Sequence, residues 1–159
     1  MSVAFTREKD VEAAAAHLPD RPISSHANLV TPKGLAELDE ALATARDAYA
    51  AAQAAGDVQA DRTAMARAAR DLRYYIARRA SAELVQAHPG SETVVFGSTV
   101  TFAQGDGRRQ TFRIVGEDEA DPAGGSVSYL SPLARALVGK AVGDTAFCAG
   151  AEVEVVSVD

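Results

Sequence analysis

Two aspartates near the middle of the chain have a spacing that suggests shared chemistry. Asp57 and Asp61 follow Gly56 and stand four positions apart, so on a helix their carboxylates would share one face. A carboxylate pair of this kind could ligate a metal ion or polarise a water molecule. From spacing alone, the simpler interpretation is a helix start with two solvated acids, because aspartate commonly begins helices.

The segment after these aspartates is strongly basic. Residues 62–79 contain six arginines and one acid, Asp71, for a net charge of +5. Such a run is either a solvated helix face paired with an acidic neighbour or a surface that contacts nucleic acid or an acidic channel lining. Tyr74 and Tyr75 could stack on bases or pack inside the protein. The arginines that are candidates for a channel or nucleic-acid contact are Arg62, Arg67, Arg70 and Arg73.

The remaining polar groups do not form a metal-binding pattern. Residues 117–121 are rich in acids but have no histidine or cysteine nearby, which favours a solvated turn. The single cysteine, Cys148, excludes an intrachain disulfide and a multi-cysteine metal site. We therefore predict no metal or cofactor held by this chain on its own.

Two long helices must position the aspartates. Apolar residues recur at steps of three and four on both sides of Gly56, which predicts an antiparallel coiled-coil hairpin with Asp57 at its tip. Thr31 and Pro32 supply an N-cap and a first-turn proline. The predicted seam consists of Leu35, Leu38, Leu42, Ala45, Tyr49 and Ala52 on the first arm and of Met65, Ala69, Leu72, Ile76, Ala80 and Leu84 on the second.

After Glu92 the hydrophobic period changes from helical to two. We predict strands over 93–102, 110–115, 126–130, 145–148 and 153–158, and one short helix over 133–138. The fold class is therefore α+β. The predicted domains are an N-terminal leader over residues 1–30, the hairpin over 31–88 and a small β-sheet domain over 90–159.

Composition limits the function classes. The 159 residues carry a formal charge of −6, which argues against the whole chain as a nucleic-acid binder. Neither a membrane span nor a secretory signal is present, so we expect a cytoplasmic protein without a membrane partner.

Several motifs resemble one known family. The stretches VFGSTV at 95–100, RIVGEDEAD at 113–121, SPLARALVGK at 131–140 and VGD at 142–144 occur in the order and spacing of the C-terminal domain of bacterial Gre transcript-cleavage factors. The opening TPKG at 31–34 and the hairpin resemble the family's N-terminal coiled coil. The leader lies outside this resemblance.

The resemblance implies an architecture and a partner. The C-terminal domain would have an FKBP-like fold and dock on the rim of the RNA polymerase secondary channel, as a monomer, through Leu130, Ser131 and Pro132. The coiled coil would enter the channel, close to RNA and DNA. In the family, two acidic tip residues help to hold a Mg²⁺ shared with the polymerase, which then hydrolyses the backtracked transcript.

The tip departs from the family pattern. The family reads GDLSEN followed by AEY, whereas this chain reads GDVQAD at 56–61 followed by RTA. Asp57 matches the family aspartate, Ala60 replaces the glutamate, and Asp61 stands at the asparagine position. The hairpin is also shorter by roughly two turns on each arm, which amounts to about 11 Å of reach.

These departures predict a Gre-like regulator that is not itself an enzyme. It would bind RNA polymerase without stimulating cleavage, as a channel blocker or a competitor of cleavage factors. The alternative is an active cleavage factor in which Asp57 and Asp61 substitute for the usual pair. A third possibility is docking on something other than polymerase. A remote alternative is a peptidyl-prolyl isomerase, for which the FKBP-like fold alone is weak support.

Overall fold

The computed structural model describes residues 18–55 and 61–159. Within these residues no helix is long and apolar enough to cross a membrane. The elements are, in chain order, β1 (Asn28–Val30), α1 (Pro32–Ala54), α2 (Asp61–Ala80), β2 (Ala82–Leu84), β3 (Thr99–Gln104), β4 (Arg109–Val115), a 3-10 turn (Pro122–Gly124), β5 (Ser126–Ser128), α3 (Pro132–Leu137), β6 (Thr145–Cys148) and β7 (Ala151–Val158).

The chain divides into two compact units whose boundary falls inside α1. One unit contains Leu38–Ser81 and the segment before Ala27. The other combines Ala27–Glu37 with Ala82–Asp159. The first turn of α1 therefore belongs to the unit that contains the larger sheet.

The helices α1 and α2 form the predicted antiparallel hairpin. They contain 23 and 20 residues, and the Asp39 carboxylate near the start of α1 accepts a hydrogen bond from Arg79 near the end of α2. Leu38, Leu42 and Ala45 are buried on α1, as the heptad pattern predicts. The seam of the first arm is thus confirmed over its first turns.

The predicted seam of the second arm is wrong toward its end. Ile76 is 47% exposed, and α2 stops at Ala80 instead of continuing to Leu84. The chain leaves the helix because β2 pairs in parallel with β1, with Leu84 opposite Val30. Arg78, only 2% exposed, is the buried residue of the last helical turns.

The five strands β3 to β7 form one sheet in the order β5-β4-β3-β7-β6. All neighbours are antiparallel except β4 and β5, which run parallel. The short helix α3 contacts β5 and β6. A helical hairpin followed by a small β-sheet domain with one short helix is the α+β fold that the sequence predicts.

The first strand of this sheet begins later than predicted. Regular pairing starts at Thr99, and before it only Thr93 forms an isolated bridge, to Ala141. Gly97 has a φ of 90°, a left-handed conformation that takes the backbone out of strand geometry, and its N–H donates to the Ile114 carbonyl at 2.8 Å. The register of β3 against β7 shifts between Thr101 and Phe102.

The core of this unit is built from alternating strand residues and one face of α3. Its members are Val94, Val100, Phe102, Ile114, Val127, Ala134, Leu137, Ala146, Val153 and Val155.

Candidate functional site

The hairpin tip is only partly described by the structure. Asp57 lies outside the described residues, together with 56 and 58–60. The helix α2 begins at Asp61. The predicted pairing of the two tip carboxylates therefore stays a prediction.

The candidate arginines differ in their surroundings along α2. Arg62, Arg67 and Arg73 are exposed, whereas Arg70 is half-buried with its Nε 3.6 Å from the Asp71 carboxylate. Arg73 is engaged as well: its Nε donates to Asp20 Oδ1 at 2.8 Å, and a terminal guanidinium nitrogen lies 2.6 Å from the same oxygen. The structure thus brings one candidate arginine into contact with the segment before the hairpin.

Arg21 packs on the aromatic pair of α2. Its guanidinium carbon lies 3.7 Å from the centre of the Tyr74 ring and 5.1 Å from that of Tyr75, within cation–π range. A terminal nitrogen of Arg21 also donates to Asp71 Oδ1 at 3.4 Å. Burial disfavours the charged form of Arg21, but contacts with Tyr75, Tyr74 and Asp71 outweigh it and raise the pKa of this guanidinium. No periodicity in the sequence indicated these contacts, because they join segments far apart in the chain.

The start of α1 is held by a carboxylate from the acidic loop. The Glu119 side chain is 4% exposed, and its Oε2 accepts a hydrogen bond from Thr31 Oγ1 at 2.5 Å. Thr31 Oγ1 in turn accepts from the Gly34 N–H at 3.0 Å. Lys33 Nζ lies 3.9 Å from Glu119 Oε1. A hydrogen bond to Glu37 is the main cause that raises the pKa of Lys33.

The solvated-turn interpretation of residues 117–121 is therefore wrong at Glu119. A buried carboxylate at the N-terminus of a helix is stabilised by the unpaired N–H groups and the positive end of the helix dipole. Gly34, a poor helix former in the first turn of α1, is the sequence signal that could have revealed the contact. Among the residues 18–55 and 61–159, no group of three histidine, cysteine, aspartate or glutamate side chains could hold a metal ion.

The predicted docking residues form the N-terminal end of α3. Ser131 is the N-cap, and its hydroxyl accepts from the Ala134 N–H at 3.2 Å. Pro132 is the first helical residue and is exposed, while Leu130 is half-buried. The Leu130 N–H donates to Ser128 Oγ at 3.1 Å. Hydrogen bonds thus hold the backbone on both sides of the exposed Pro132.

Four aromatic residues of this unit pack in two pairs. The rings of Phe102 and Phe112 stack with centres 6.3 Å apart, and Phe96 meets Tyr129 edge-on at 5.7 Å. Phe147 lies on β6 and is 71% exposed.

Comparison with known proteins agrees with the motifs. Residues 89–159 match the family described as "Transcription elongation factor, GreA/GreB, C-term". The chain is 37% identical over 111 residues to a transcription elongation factor GreA of Desulfovibrio desulfuricans, covering 68% of this chain and 67% of that protein. A GreA of Hyphomonas neptunium is 55% identical over 58 residues, or 36% of this chain and 37% of the relative.

Alignments with several of these relatives are partial. The chain spans between 36% and 39% of the length of three GreA relatives to which it is 51% to 55% identical. Among solved structures, GreA factor homolog 1 (Gfh1) of Thermus thermophilus aligns with a TM-score of 0.40 at 22% identity, covering 84% of this chain and 99% of that one. On the strength of the Desulfovibrio alignment and the C-terminal family match, the chain belongs to the GreA/GreB family of transcription elongation factors.

Proposed function

We propose that this protein is an accessory factor that binds bacterial RNA polymerase at its secondary channel in the cytoplasm. Family membership supports this proposal, together with the exposed Pro132 at the start of α3, which follows the half-buried Leu130 and Ser131. The hairpin then points into the channel and approaches the RNA and DNA of the elongation complex. The protein acts as a monomer and is not itself an enzyme.

We further propose that it occupies the channel without stimulating transcript cleavage. The observation that carries this proposal is the tip sequence, where Ala60 stands at the position of the family glutamate. A methyl group can neither ligate a metal ion nor polarise water. The shorter hairpin adds to the effect, because a carboxylate must lie about 2.0–2.1 Å from Mg²⁺ to bind it.

This chain would supply only a minority of the ligands of a Mg²⁺ shared with the polymerase. Asp57 and Asp61, at the predicted tip, are the residues that we propose could reach such an ion. The ion would supply charge stabilisation to phosphodiester hydrolysis, and most of its ligands would come from the polymerase. The alternative function, an active cleavage factor, depends on these two side chains.

The test is transcript cleavage in a backtracked elongation complex, with and without this protein and in competition with a cleavage-active Gre factor. We expect no stimulated cleavage and a concentration-dependent inhibition of the active factor. Cleavage that disappears in Asp57→Ala would instead establish the alternative. If the protein neither stimulates nor inhibits cleavage and does not bind polymerase, we would conclude that it docks on another partner.

A further inference from the structure

We propose that β6 is a docking edge to which an extended, basic segment of a partner protein adds as a sixth strand. Side chains of the added strand alternate: lysine or arginine lies on the exposed face of the sheet, and an apolar residue enters a groove beside α3. This proposal goes beyond polymerase binding and does not depend on it.

The strand β6 has one free edge. It lies at the end of the five-stranded sheet, next to β7. The Val155 N–H donates to the Asp144 carbonyl at 2.9 Å, and hydrogen-bonded pairs alternate along an antiparallel ladder. In this register Ala146 directs its backbone N–H and C=O toward β7. The backbone groups of Thr145 and Phe147 therefore point to the free edge, where an added strand can bind them.

This edge lacks the features that usually prevent pairing with another chain. Natural edge strands are protected by charged residues or proline, whereas β6 reads Thr-Ala-Phe-Cys and has neither. Phe147 is 71% exposed, more than any other large hydrophobic residue in the part of the chain that the structure describes. An exposed phenylalanine on an unprotected edge indicates a surface that another chain covers.

A groove of about 340 Å³ lies beside the edge. It is lined by Ala136, Lys140, Thr145, Ala146, Phe147 and Glu152. The small side chains of Ala136 on α3 and Ala146 on β6 leave room for an apolar side chain, on the side where α3 contacts β6. Ala146 is buried, whereas both of its neighbours on β6 are exposed. The two sides of the strand thus differ, and an added strand must alternate to match them.

The charge around the groove favours a basic occupant. Glu152 pairs with Phe147, and Glu154 lies two residues further along β7 on the same exposed face. Neither carboxylate has a hydrogen bond or ion pair with another residue that the structure describes. Lys140 is the base that lines the groove, but residues 90–159 contain five bases and ten acids. Both the two local acids and the net charge of this segment attract lysine and arginine.

The test measures binding of a short, terminally blocked, fluorescently labelled peptide to the full chain by anisotropy. In the peptide, lysine alternates with valine, and we expect saturable binding. A block peptide of the same composition, with all lysines before all valines, should bind at least about fivefold more weakly, because it cannot match the two sides of β6. A peptide in which glutamate alternates with valine should not bind, because it meets Glu152 and Glu154.

Amide hydrogen exchange, followed by NMR, tests the strand geometry. On binding, the N–H groups of Thr145 and Phe147 should become protected from exchange, whereas that of Ala146, already directed at β7, should change little. Peptides that are N-methylated at every second residue give the reciprocal test. Methyl groups on the peptide edge that faces β6 should abolish binding, and the same methyl groups shifted by one residue should leave it intact.

Matched variants separate docking on this edge from general attraction. Phe147→Ser should weaken peptide binding at least about fivefold. Its control is Val142→Ser, which removes a 59% exposed valine that does not line the groove and should leave the affinity unchanged. Glu152→Gln should weaken binding about two- to threefold, as for an exposed ion pair. Glu92→Gln removes the same charge from an exposed position outside the groove and should have a smaller effect.

Four outcomes would overturn the proposal. The first is the absence of saturable binding by the alternating peptide. Equal binding of the alternating and block peptides would mean that net charge alone attracts the peptide. Binding without protection of the Thr145 and Phe147 amides would exclude strand addition. A dimer in analytical ultracentrifugation that Phe147→Ser dissociates would show that a second copy of this chain covers the edge.

Discussion

Gly34 occupies the third position of α1, where a capping box would carry glutamate or glutamine. In this protein the carboxylate comes from Glu119, far away in the sequence, and contacts the N-cap residue Thr31. A Cβ on Gly34 would lie 2.5 Å from Glu119 Oε2 and 3.3 Å from its Cδ. The glycine therefore makes room for the carboxylate.

This geometry predicts the sign of one substitution. In an exposed helix, Gly→Ala stabilises by about 0.5–1 kcal/mol. We expect Gly34→Ala to destabilise the protein instead, because the new methyl group displaces Glu119 from Thr31. The measurement is the midpoint of urea unfolding.

The matched control is the double variant. In Glu119→Ala the clash is absent, so Gly34→Ala should then stabilise, and the two changes should be strongly non-additive. Glu119→Ala alone should cost about 1–3 kcal/mol, because it removes a buried hydrogen-bonded acceptor. Additive effects would contradict the contact.

At the scale of the elements, the two arms of the hairpin are unequal. Leu38 and Leu42 are buried on α1, whereas Ile76 on α2 is half exposed. We expect Leu42→Ala to lower the free energy of unfolding by about 2–5 kcal/mol, as for a buried leucine.

The control for Leu42→Ala is Ile76→Ala, a comparable truncation at a position that the heptad pattern also predicts to be buried. We expect a change within about 0.5 kcal/mol at this exposed site. An equal loss in the free energy of unfolding at the two positions would mean that Ile76 is buried, as the heptad pattern predicts, and would contradict the structure.

The helix α3 allows a second prediction at this scale. Pro132→Ala retains the N-cap hydrogen bond from the Ala134 N–H to Ser131 Oγ, so the fold should persist. Polymerase binding should weaken at least about fivefold if Pro132 is an anchor of the proposed interface. Affinity can be measured by surface-immobilised polymerase.

Pro122→Ala is the matched control, because Pro122 also opens a short helical turn and is exposed. It lies outside the proposed docking residues and should leave the affinity unchanged. A charge at Leu130, as in Leu130→Asp, should weaken binding as well. Unchanged binding in both Pro132→Ala and Leu130→Asp would exclude this surface.

For the molecule as a whole, reach and tip chemistry are separate variables. If the hairpin is roughly two turns too short, restoring the family glutamate with Ala60→Glu will not produce cleavage. Adding one heptad to each arm preserves the seam register and lengthens the hairpin by about 10.5 Å. We expect only the combination of both changes to stimulate cleavage of backtracked RNA.

The heptad insertion without Ala60→Glu is the control and should still inhibit an active cleavage factor. Cleavage by Ala60→Glu alone would show that reach is sufficient and that side-chain chemistry alone separates this protein from active relatives.

Local patterns determined much of this protein. Alternation of apolar residues predicts the strands, the step of three and four predicts α1 and its seam, and Ser131 with Pro132 predicts the start of α3. The motifs after residue 90 indicated the Gre family. Each of these signals depends on neighbours in the chain, and therefore each is readable without a structure.

Only the tertiary structure decided the features that join distant segments. Pairing of β2 with β1 ends α2 at Ala80, the buried Glu119 caps α1 across the fold, and Arg21 covers Tyr74. Hydrogen bonds and ring contacts of this kind leave no periodicity, since their strength depends on distance in space and not on separation along the chain. For this reason the acidic loop resembled a solvated turn and the N-terminal segment carried no visible role.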